Sequence, residues 1–279
     1  MAAARALESR RPDRLFDDPL AAAFAGREGF AWLDGMELSR VWGGPGLYIV
    51  IRTRFFDDFL LSSCQSIGAR QIVLLAAGMD ARAFRISWPS QTRLYELDRP
   101  EVLAAKETVL TRTGVRPACE RHAIGADLGH PSWSEALLEA GYEAREPSVW
   151  LAEGLIFYMA EAAVHLLLDT VSALATPHSR LGADLVNEEL LRSPTMWPLL
   201  STFAWRGLMG CFGTNHPEAL FAEHGWEVQA IQPGEQGANY GRWSYPVAHR
   251  ELQGVPRIFL VRARRLGGWT HPGAIVDDG

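Results

Sequence analysis

Short apolar runs that alternate with helical segments constrain the fold of this chain more than any other feature of the sequence. The first run, residues 71–76, is continuously apolar, as in a strand that is buried on both faces. Further strand candidates are residues 93–97, 121–124, 148–152, 180–186, 226–231 and 257–263. Helical segments separate several of them, the clearest at 100–111, 161–175 and 218–224. This alternation predicts an α/β fold with a doubly wound, mostly parallel seven-stranded sheet, whose last two strands could pair antiparallel at one edge.

Two segments accompany the predicted sheet within a single domain that spans residues 1–279. Residues 1–67 form an N-terminal helical cap, in which apolar residues recur at helical spacing from 48 to 67. Residues 187–216 form an insertion between the core, 68–186, and the C-terminal strands, 217–265. The insertion is rich in aromatic and sulfur side chains: Met196, Trp197, Phe203, Trp205, Met209 and Phe212. A buried helical insertion and a helical lid over a cleft explain this composition equally well.

Composition and charge exclude several classes of protein. The chain has 279 residues, of which 48% are hydrophobic and 22% charged, as in a globular domain. Its net charge of −6 argues against nucleic acid as a partner, because a nucleic-acid surface is usually basic. No apolar run approaches the roughly 20 residues of a membrane span, and residues 1–18 lack the apolar core of a signal peptide. Because Cys64, Cys119 and Cys211 form no zinc-ligand pattern, we expect reduced thiols, no metal and a cytoplasmic location. The oligomeric state stays open.

Small and acidic residues follow the first two predicted strands. Ala76-Ala77-Gly78 comes directly after the first strand, where small residues let the backbone turn tightly and approach a ligand. Asp98 follows about 20 residues later, at the spacing at which a carboxylate binds the hydroxyls of a ribose. Because ligands of open α/β sheets bind at the carboxyl ends of the strands, the two features favour an adenosine-type ligand. A ligand-free turn and an N-cap ahead of Pro100 are the alternatives.

Two further carboxylates follow the third and fourth predicted strands. Asp127, next to Leu128, can accept a hydrogen bond from the amine of adenine or can cap a helix. Glu153 stands in an apolar run, where an ionised carboxylate is costly without a partner. We favour a cationic ligand group as that partner, and a nearby arginine is the alternative.

Six motifs occur in an order and at a spacing typical of one family. They are Arg52-Thr-Arg54-Phe-Phe-Asp-Asp58, Leu74-Leu-Ala-Ala-Gly-Met-Asp-Ala-Arg82, Tyr95-Glu-Leu-Asp98-Arg-Pro100, Ala126-Asp-Leu128, Ala152-Glu-Gly-Leu-Ile-Phe-Tyr158 and Val255-Pro-Arg-Ile-Phe-Leu-Val-Arg-Ala263. Over nearly the whole chain, this set resembles the leucine carboxyl methyltransferase-like family, whose bacterial members include O-methyltransferases of polyketide pathways. The resemblance implies a Rossmann-like class I methyltransferase fold and S-adenosylmethionine as the cofactor.

The resemblance also implies which residues hold the charged end of the cofactor. Arg52, with Arg54 as a second candidate, would hold the methionyl carboxylate, and Glu153 would hold the ammonium group. This division is consistent with charge, because a zwitterion needs one cationic and one anionic partner.

For the nucleoside, the resemblance implies that Asp98 binds the ribose hydroxyls and that Asp127 and the Leu128 backbone meet the adenine. The turn from Ala76 to Gly78 would pass beneath the methionine and the ribose. Family members often have Gly-Ala-Gly at this turn. The methyl group of Ala76 narrows the approach and could weaken affinity, but we expect the site to survive.

The acceptor is predicted from the resemblance and from the histidines. The resemblance implies transfer to oxygen, and no histidine has the spacing of a committed general base. A carboxylate is already ionised at pH 7 and needs no base, so we predict a carboxylate in preference to a phenol, on a hydrophobic small molecule such as a polyketide-type natural product. Tyr158, which follows the fourth strand, and Arg206 and His216 in the insertion are the candidate catalytic residues.

Other functions remain as alternatives. The family includes an enzyme that esterifies the C-terminal leucine of a protein, so the acceptor could be a protein C-terminus; it could also be a phenol. A non-catalytic nucleotide binder could share the fold. A dehydrogenase would need a fuller G-x-G-x-x-G motif and leaves Arg52 and Glu153 unexplained.

Overall fold

A central seven-stranded sheet organises the chain. The computed structural model describes residues 1–35, 46–194 and 211–267. The strands are β1 (Gln71–Leu75), β2 (Arg93–Asp98), β3 (Glu120–Gly125), β4 (Ser148–Ala152), β5 (Arg180–Val186), β6 (Trp226–Ile231) and β7 (Ile258–Arg265). Their order is β3-β2-β1-β4-β5-β7-β6. β7 is antiparallel to both of its neighbours, and the pairs among β1 to β5 are parallel. The predicted doubly wound, mostly parallel α/β sheet is confirmed.

The last two strands pair antiparallel, as predicted. Only β6 lies at the edge, because β7 is inserted between β5 and β6. β7 pairs with β5 from Arg180↔Arg264 to Val186↔Ile258, so both sides of its backbone are hydrogen-bonded. Because β6 and β5 are each antiparallel to β7, β6 runs parallel to β5 and thus to β1–β4.

Helices flank the sheet and connect its strands. They are α1 (Ala2–Ser9), α2 (Ala21–Gly35), α3 (Leu47–Ile67), α4 (Arg82–Arg85), α5 (Pro100–Thr113), α6 (Trp133–Glu139), α7 (Glu161–Leu174), α8 (Glu188–Arg192) and α9 (Pro217–Ala222), with a short 3-10 turn at Ile156–Tyr158. The predicted helix at 218–224 is shorter than expected at its C-terminal end, because the chain turns at Gly225 (φ +79°) before β6. Among the described helices, none combines the length and the apolar content that crossing a membrane requires.

The core has two layers because successive strand residues point to opposite faces of the sheet. Val73 and Leu75 of β1 pack with α6, α7 and α9 on one face. Ile72 and Leu74 pack on the other face with α3. These β1 side chains are at most 2% exposed, which explains the continuous apolar run in the sequence.

The insertion at 187–216 is described only at its two ends. Its first part forms α8, whose N-cap Asn187 accepts a hydrogen bond from the Leu190 amide at 3.0 Å. At its other end, Phe212 packs against the core of the sheet. Of the six aromatic and sulfur side chains that a buried insertion or a lid would explain, the other five lie outside the described residues, and so does Arg206.

Candidate active site

A cavity opens where the strand order reverses. β1 lies between β2 and β4, so the chain winds outward in opposite directions from this pair, and ligands of such sheets bind beyond the carboxyl ends of the strands there. The cavity has a volume of about 340 Å³, within the range of roughly 300–1,000 Å³ of small-molecule sites. Its walls include the β1 turn, Glu153 and Gly154 after β4, Thr53 of α3, and residues of α1 and α2. A cavity therefore lies where the sequence predicts the cofactor site, at the carboxyl ends of the strands.

The turn after β1 is held in an unusual backbone conformation. Both Ala76 (φ +56°) and Gly78 (φ +49°) are left-handed. For Ala76 this conformation carries a strain of roughly 1–2 kcal/mol, which the surrounding structure must offset. The Ala77 amide donates to the Leu97 carbonyl at 3.0 Å, and the Gly78 amide donates to Asp98 Oδ2 at 2.6 Å. The strained turn is therefore fastened to the end of β2.

Asp98 faces this turn and does not cap the following helix. Its Oδ2 accepts from Gly78, and its Oδ1 accepts from the Arg99 amide at 2.7 Å. The N-cap of α5 is Arg99, which makes no side-chain capping bond. A carboxylate has about four lone-pair positions, so Asp98 keeps acceptor capacity for ligand hydroxyls beside Gly78.

Glu153 has partners in the protein, which the sequence interpretation did not favour. Arg52 Nε lies 2.9 Å from its Oε1, and Arg82 Nη1 lies 2.7 Å from its Oε2. Both guanidinium groups are at most 2% exposed. The alternative, an arginine, is therefore correct for the partners that Glu153 has within the protein, and its role toward a cofactor stays a prediction. Arg82 was present in the sequence motif that follows β1, but its spacing from Glu153 gave no signal that they meet.

The two arginines extend this pair into a buried network. Arg52 Nη1 lies 2.6 Å from Asp184 Oδ2 on β5. Arg82 Nε lies 2.7 Å from Asp57 Oδ1, and its Nη1 also contacts Asp80. Arg85 joins through Asp57 at 2.7 Å. Each guanidinium is thereby fixed by at least one buried carboxylate.

The network lowers the pKa of two of its carboxylates, Glu153 and Asp80. Burial by itself raises the pKa of Glu153, but Arg82 and Arg52 outweigh burial, and the pKa is lowered. For Asp80, burial is again outweighed, mainly by Arg82, and the pKa falls to about 2. The network contains the carboxylates Asp57, Asp80, Glu153 and Asp184 and the guanidiniums Arg52, Arg82 and Arg85.

Arg54 and His216 are predicted site residues that the structure does not bring to the cavity. Arg54 donates to Asp58 at 3.0 Å and to the Leu15 carbonyl at 2.6 Å, beside its own helix. Its side chain is thus held away from Arg52, which is buried on a different side of α3. His216 is exposed at the N-cap of α9, where its amide donates to Thr214.

Asp127, Leu128 and Tyr158 lie at the ends of the expected strands. Asp127 is exposed after β3, and its Oδ1 accepts from the Gly129 amide at 2.9 Å. Leu128 is 8% exposed and packs in the core. Tyr158 ends the turn after β4, with its ring 4.3 Å from that of Phe157, and burial raises its pKa. None of these side chains lines the described cavity.

The residues of the cavity fit the cofactor that the motifs imply. The hydroxyl of Thr53 is buried in the wall without a hydrogen-bond partner among the described residues, which suits a polar ligand. Glu153 lines the cavity and Arg52 contacts it at 2.9 Å from outside the wall, so an anionic and a cationic group lie beside each other, as a zwitterionic methionine moiety would need. Asp98 and Gly78 contact each other at the ends of β2 and β1, where the ribose would lie next to the methionine moiety of the cofactor. We also note Arg5 of α1 in the wall, 2.6 Å from the Met79 carbonyl, which sequence reasoning did not single out.

Comparisons with known proteins agree with these motifs. The family model described as leucine carboxyl methyltransferase matches residues 1–172. A Parafrankia protein named "Putative S-adenosyl-L-methionine-dependent methyltransferase" is 44% identical, with 81% of this chain and 74% of that protein aligned. A Streptomyces coelicolor protein with the same description is 39% identical, over 95% of this chain and 91% of that protein.

Solved structures agree on the fold. A "putative methyltransferase" from Thermobifida fusca superposes with a TM-score of 0.56 at 15% identity, covering 94% of both chains. A DUF574 family protein from Streptomyces avermitilis superposes with a TM-score of 0.55 at 15% identity, covering 95% of this chain and 96% of the other. At this level of identity the likeness concerns the fold alone.

Proposed function

The chain belongs to the leucine carboxyl methyltransferase family, and we propose that it methylates an oxygen atom of a hydrophobic small molecule. In this proposal the oxygen belongs to a carboxylate. The relatives named above are described as S-adenosylmethionine-dependent. The chain is a methyltransferase with S-adenosylmethionine as its cofactor. The identity of the acceptor is the new part of the proposal. The observation that carries it is the composition of the described cavity wall, which contains carboxylates and guanidiniums but no histidine.

The protein's first task is to bind the cofactor in one orientation. Asp98 would accept hydrogen bonds from the ribose hydroxyls, since its carboxylate is already anchored on the Gly78 amide at 2.6 Å. Glu153 would hold the ammonium group and Arg52 the carboxylate. Because Asp184 fixes Arg52 at 2.6 Å and Arg82 fixes Glu153 at 2.7 Å, both groups keep their places with little loss of side-chain entropy on binding.

The second task is to present the acceptor oxygen and to exclude water. S-adenosylmethionine supplies a methyl group that its sulfonium already activates. A carboxylate acceptor has a pKa near 4 and arrives as the nucleophile, so no proton has to be removed. A phenol has a pKa near 10 and would profit from a general base, and the described wall contains no histidine for that role.

Tyr158 can orient an acceptor but is not suited to deprotonate one. Burial raises its pKa above the ordinary value for a phenol, so its hydroxyl stays protonated at neutral pH. A protonated hydroxyl donates a hydrogen bond and does not accept a proton from substrate. Tyr158 lies beyond the described cavity wall, and we propose that it donates to one oxygen of the acceptor carboxylate while the other oxygen attacks the methyl group.

The test uses methyl-labelled S-adenosylmethionine with matched carboxylic acids and phenols on the same hydrophobic scaffolds. We expect label in the carboxylic acids, as methyl esters that release labelled methanol on mild alkaline treatment. Under saturating cofactor, the single-turnover rate should stay nearly flat from pH 6 to about 9, because the acceptor is fully ionised throughout. A base-stable product whose rate of formation climbs steeply over this range would identify a phenol and refute the carboxylate assignment. Asp98→Ala, which lacks the ribose acceptor, is the control for cofactor-dependent labelling.

A further inference from the structure

Three potential metal ligands meet on the helical layer of the sheet, away from the candidate active site. His165 lies on α7, and Glu223 and His224 lie between α9 and β6. One ligand atom of each residue lies within 4.8 Å of those of the other two. His165 and His224 are 59 positions apart in the chain, so the sequence spacing gave no sign of this cluster.

A fourth residue orients one of the imidazoles. Asp169 Oδ1 lies 2.7 Å from His224 Nδ1, and an ionised carboxylate can only accept, so Nδ1 carries the proton. His224 Nε2 then has a lone pair, which faces His165 Nδ1 at 2.9 Å. This arrangement is the carboxylate–histidine pair that typically supports a metal-bound imidazole from behind.

The backbone that carries His224 is held firmly in place. Ser172 Oγ donates to the His224 carbonyl at 3.0 Å, and Trp226 Nε1 donates to Ser172 Oγ at 2.7 Å. Arg265 Nη1 donates to the Gly225 carbonyl at 2.8 Å. His165 and Asp169 are one helical turn apart on α7 and face the same side. The ligand set therefore combines one residue of α7 with two residues of a turn whose backbone is held by these hydrogen bonds.

We propose that His165 Nδ1, His224 Nε2 and a carboxylate oxygen of Glu223 bind a divalent transition-metal ion, with zinc as the reference ion. Two imidazoles and one carboxylate are a typical zinc ligand set, and water fills the fourth tetrahedral position. His224 is 5% exposed while Glu223 is exposed, so the set opens toward solvent on the Glu223 side.

The two imidazoles need only a small movement to bind one ion, and the Glu223 ligand oxygen lies within 4.8 Å of both. Two nitrogens at about 2.0–2.1 Å from a tetrahedral ion are roughly 3.3 Å apart, so the two imidazoles must separate by a few tenths of an ångström from 2.9 Å. The proton of His165 Nδ1, which now lies between the rings, moves to Nε2 of the same ring. His165 thus changes tautomer when the ion binds.

The position of the cluster indicates a structural ion. His224 comes two residues before β6, at the amino end of a strand that runs parallel to β1 and β4, whereas the cofactor cavity lies at the carboxyl ends of those two strands. An ion bound there would join α7 to the start of β6 and would not reach the reacting atoms. We therefore expect zinc to raise the melting temperature (Tm) without being required for cofactor binding.

The experiment uses tag-free protein that has been treated with a chelator and dialysed. Calorimetric titration with Zn²⁺ should show one ion bound per chain, and Co²⁺ in its place should give the intense visible bands of a tetrahedral site. Zn²⁺ should also raise Tm, because it binds the folded state. His165→Ala and Glu223→Gln should lose stoichiometric binding and the rise in Tm. Asp169→Asn should weaken zinc binding about 10–100-fold, since it leaves the ligands in place but removes their support.

His122→Ala is the matched control, because His122 also contacts a glutamate, Glu120 at 2.9 Å, but belongs to no ligand cluster among the described residues. It should bind Zn²⁺ as the wild type does. Unchanged Zn²⁺ stoichiometry in His165→Ala would overturn the proposal. So would a wild-type Tm that is insensitive to Zn²⁺ while His165→Ala lowers it, since that result describes a hydrogen-bonded histidine pair with a purely structural role.

Discussion

Replacing Arg82 with leucine tests whether the buried network supports the site. Arg82 is 2% exposed and contacts three carboxylates: Asp57 and Glu153, both at 2.7 Å, and Asp80. Leucine keeps part of the apolar volume and removes the charge. Removing one partner of a buried ion pair costs about 3–5 kcal/mol, because the remaining charges stay buried without compensation.

This loss converts into a measurable shift in Tm. An unfolding entropy of about 2.1 cal/mol/K per residue gives about 0.6 kcal/mol/K for 279 residues. Arg82→Leu should therefore lower Tm by about 5–9 °C. The matched control is Arg264→Leu, whose ion pair with Glu227 has a short distance of 2.6 Å but exposed side chains, at 42% and 62%. Exposed pairs contribute only about 0–1 kcal/mol, so its Tm should change by less than about 2 °C.

The acid limb of the stability curve provides a second readout. In the wild type the folded-state pKa of Asp80 is about 2, below its ordinary value of 3.8, so ionised Asp80 stabilises the fold above about pH 4. That stabilisation, about 2 kcal/mol, is lost as the pH falls from about 4 to about 2. Without Arg82, burial acts on Asp80 with its main counter-ion removed, so the pKa rises and acid unfolding begins at higher pH.

The assay is thermal unfolding by circular dichroism between about pH 2 and pH 8 for the wild type and both variants. Equal decreases in Tm for Arg82→Leu and Arg264→Leu, with coincident acid limbs, would refute the reasoning. The network would then contribute no more than a surface ion pair.

Three further outcomes follow from the same structure. Asp98→Ala should weaken S-adenosylhomocysteine binding by about 100-fold, since hydrogen bonds to a charged group contribute roughly 1.5–3 kcal/mol each; normal affinity by calorimetry would leave Asp98 a purely structural role. Arg54→Ala should bind the same ligand with unchanged affinity, because Arg54 is held by Asp58 and the Leu15 carbonyl, and a large loss of affinity would place it at the carboxylate after all. Gly182→Ala should lower the free energy of unfolding by about 1–3 kcal/mol in urea, because its Cβ would lie 2.8 Å from Phe59 Cε1; wild-type stability would mean that the ring moves aside without cost.

The strands were predictable because each satisfies a local rule. β1 is buried on both faces, so its sequence is continuously apolar and does not alternate between apolar and polar residues. β4 is buried in the same way. The order of the strands in the sheet was harder to predict from the sequence. Nothing local in residues 258–265 tells whether β7 lies at the edge or between β5 and β6, because that depends on pairing with residues about 75 positions away.

The site shows the same division between local and non-local information. Asp98 and Gly78 could be placed together because each ends a predicted strand and neighbouring strands end at one edge. The partners of Glu153 could not be predicted in this way. Arg52 lies on a helix and Arg82 follows the turn after β1, and only the folded sheet brings both close to Glu153. Burial in an apolar run was correctly taken to demand a cation, and within the protein arginines supply it.

Asp184 has a consequence for how members of this family can exchange parts. Its buried carboxylate accepts from Tyr48 Oη and Arg52 Nη1, both at 2.6 Å, and from the Gly154 amide at 2.5 Å. The family match ends at residue 172, just before the strand that carries Asp184. A hybrid that grafts the last three strands of a relative onto residues 1–172 keeps all three donors and inherits whatever stands at position 184. If that residue is not an acceptor, the buried guanidinium of Arg52 loses its closest counter-charge. Recombination across this junction is therefore constrained by the residue at position 184, together with other contacts that cross it, such as Arg242 with Glu8 at 3.0 Å.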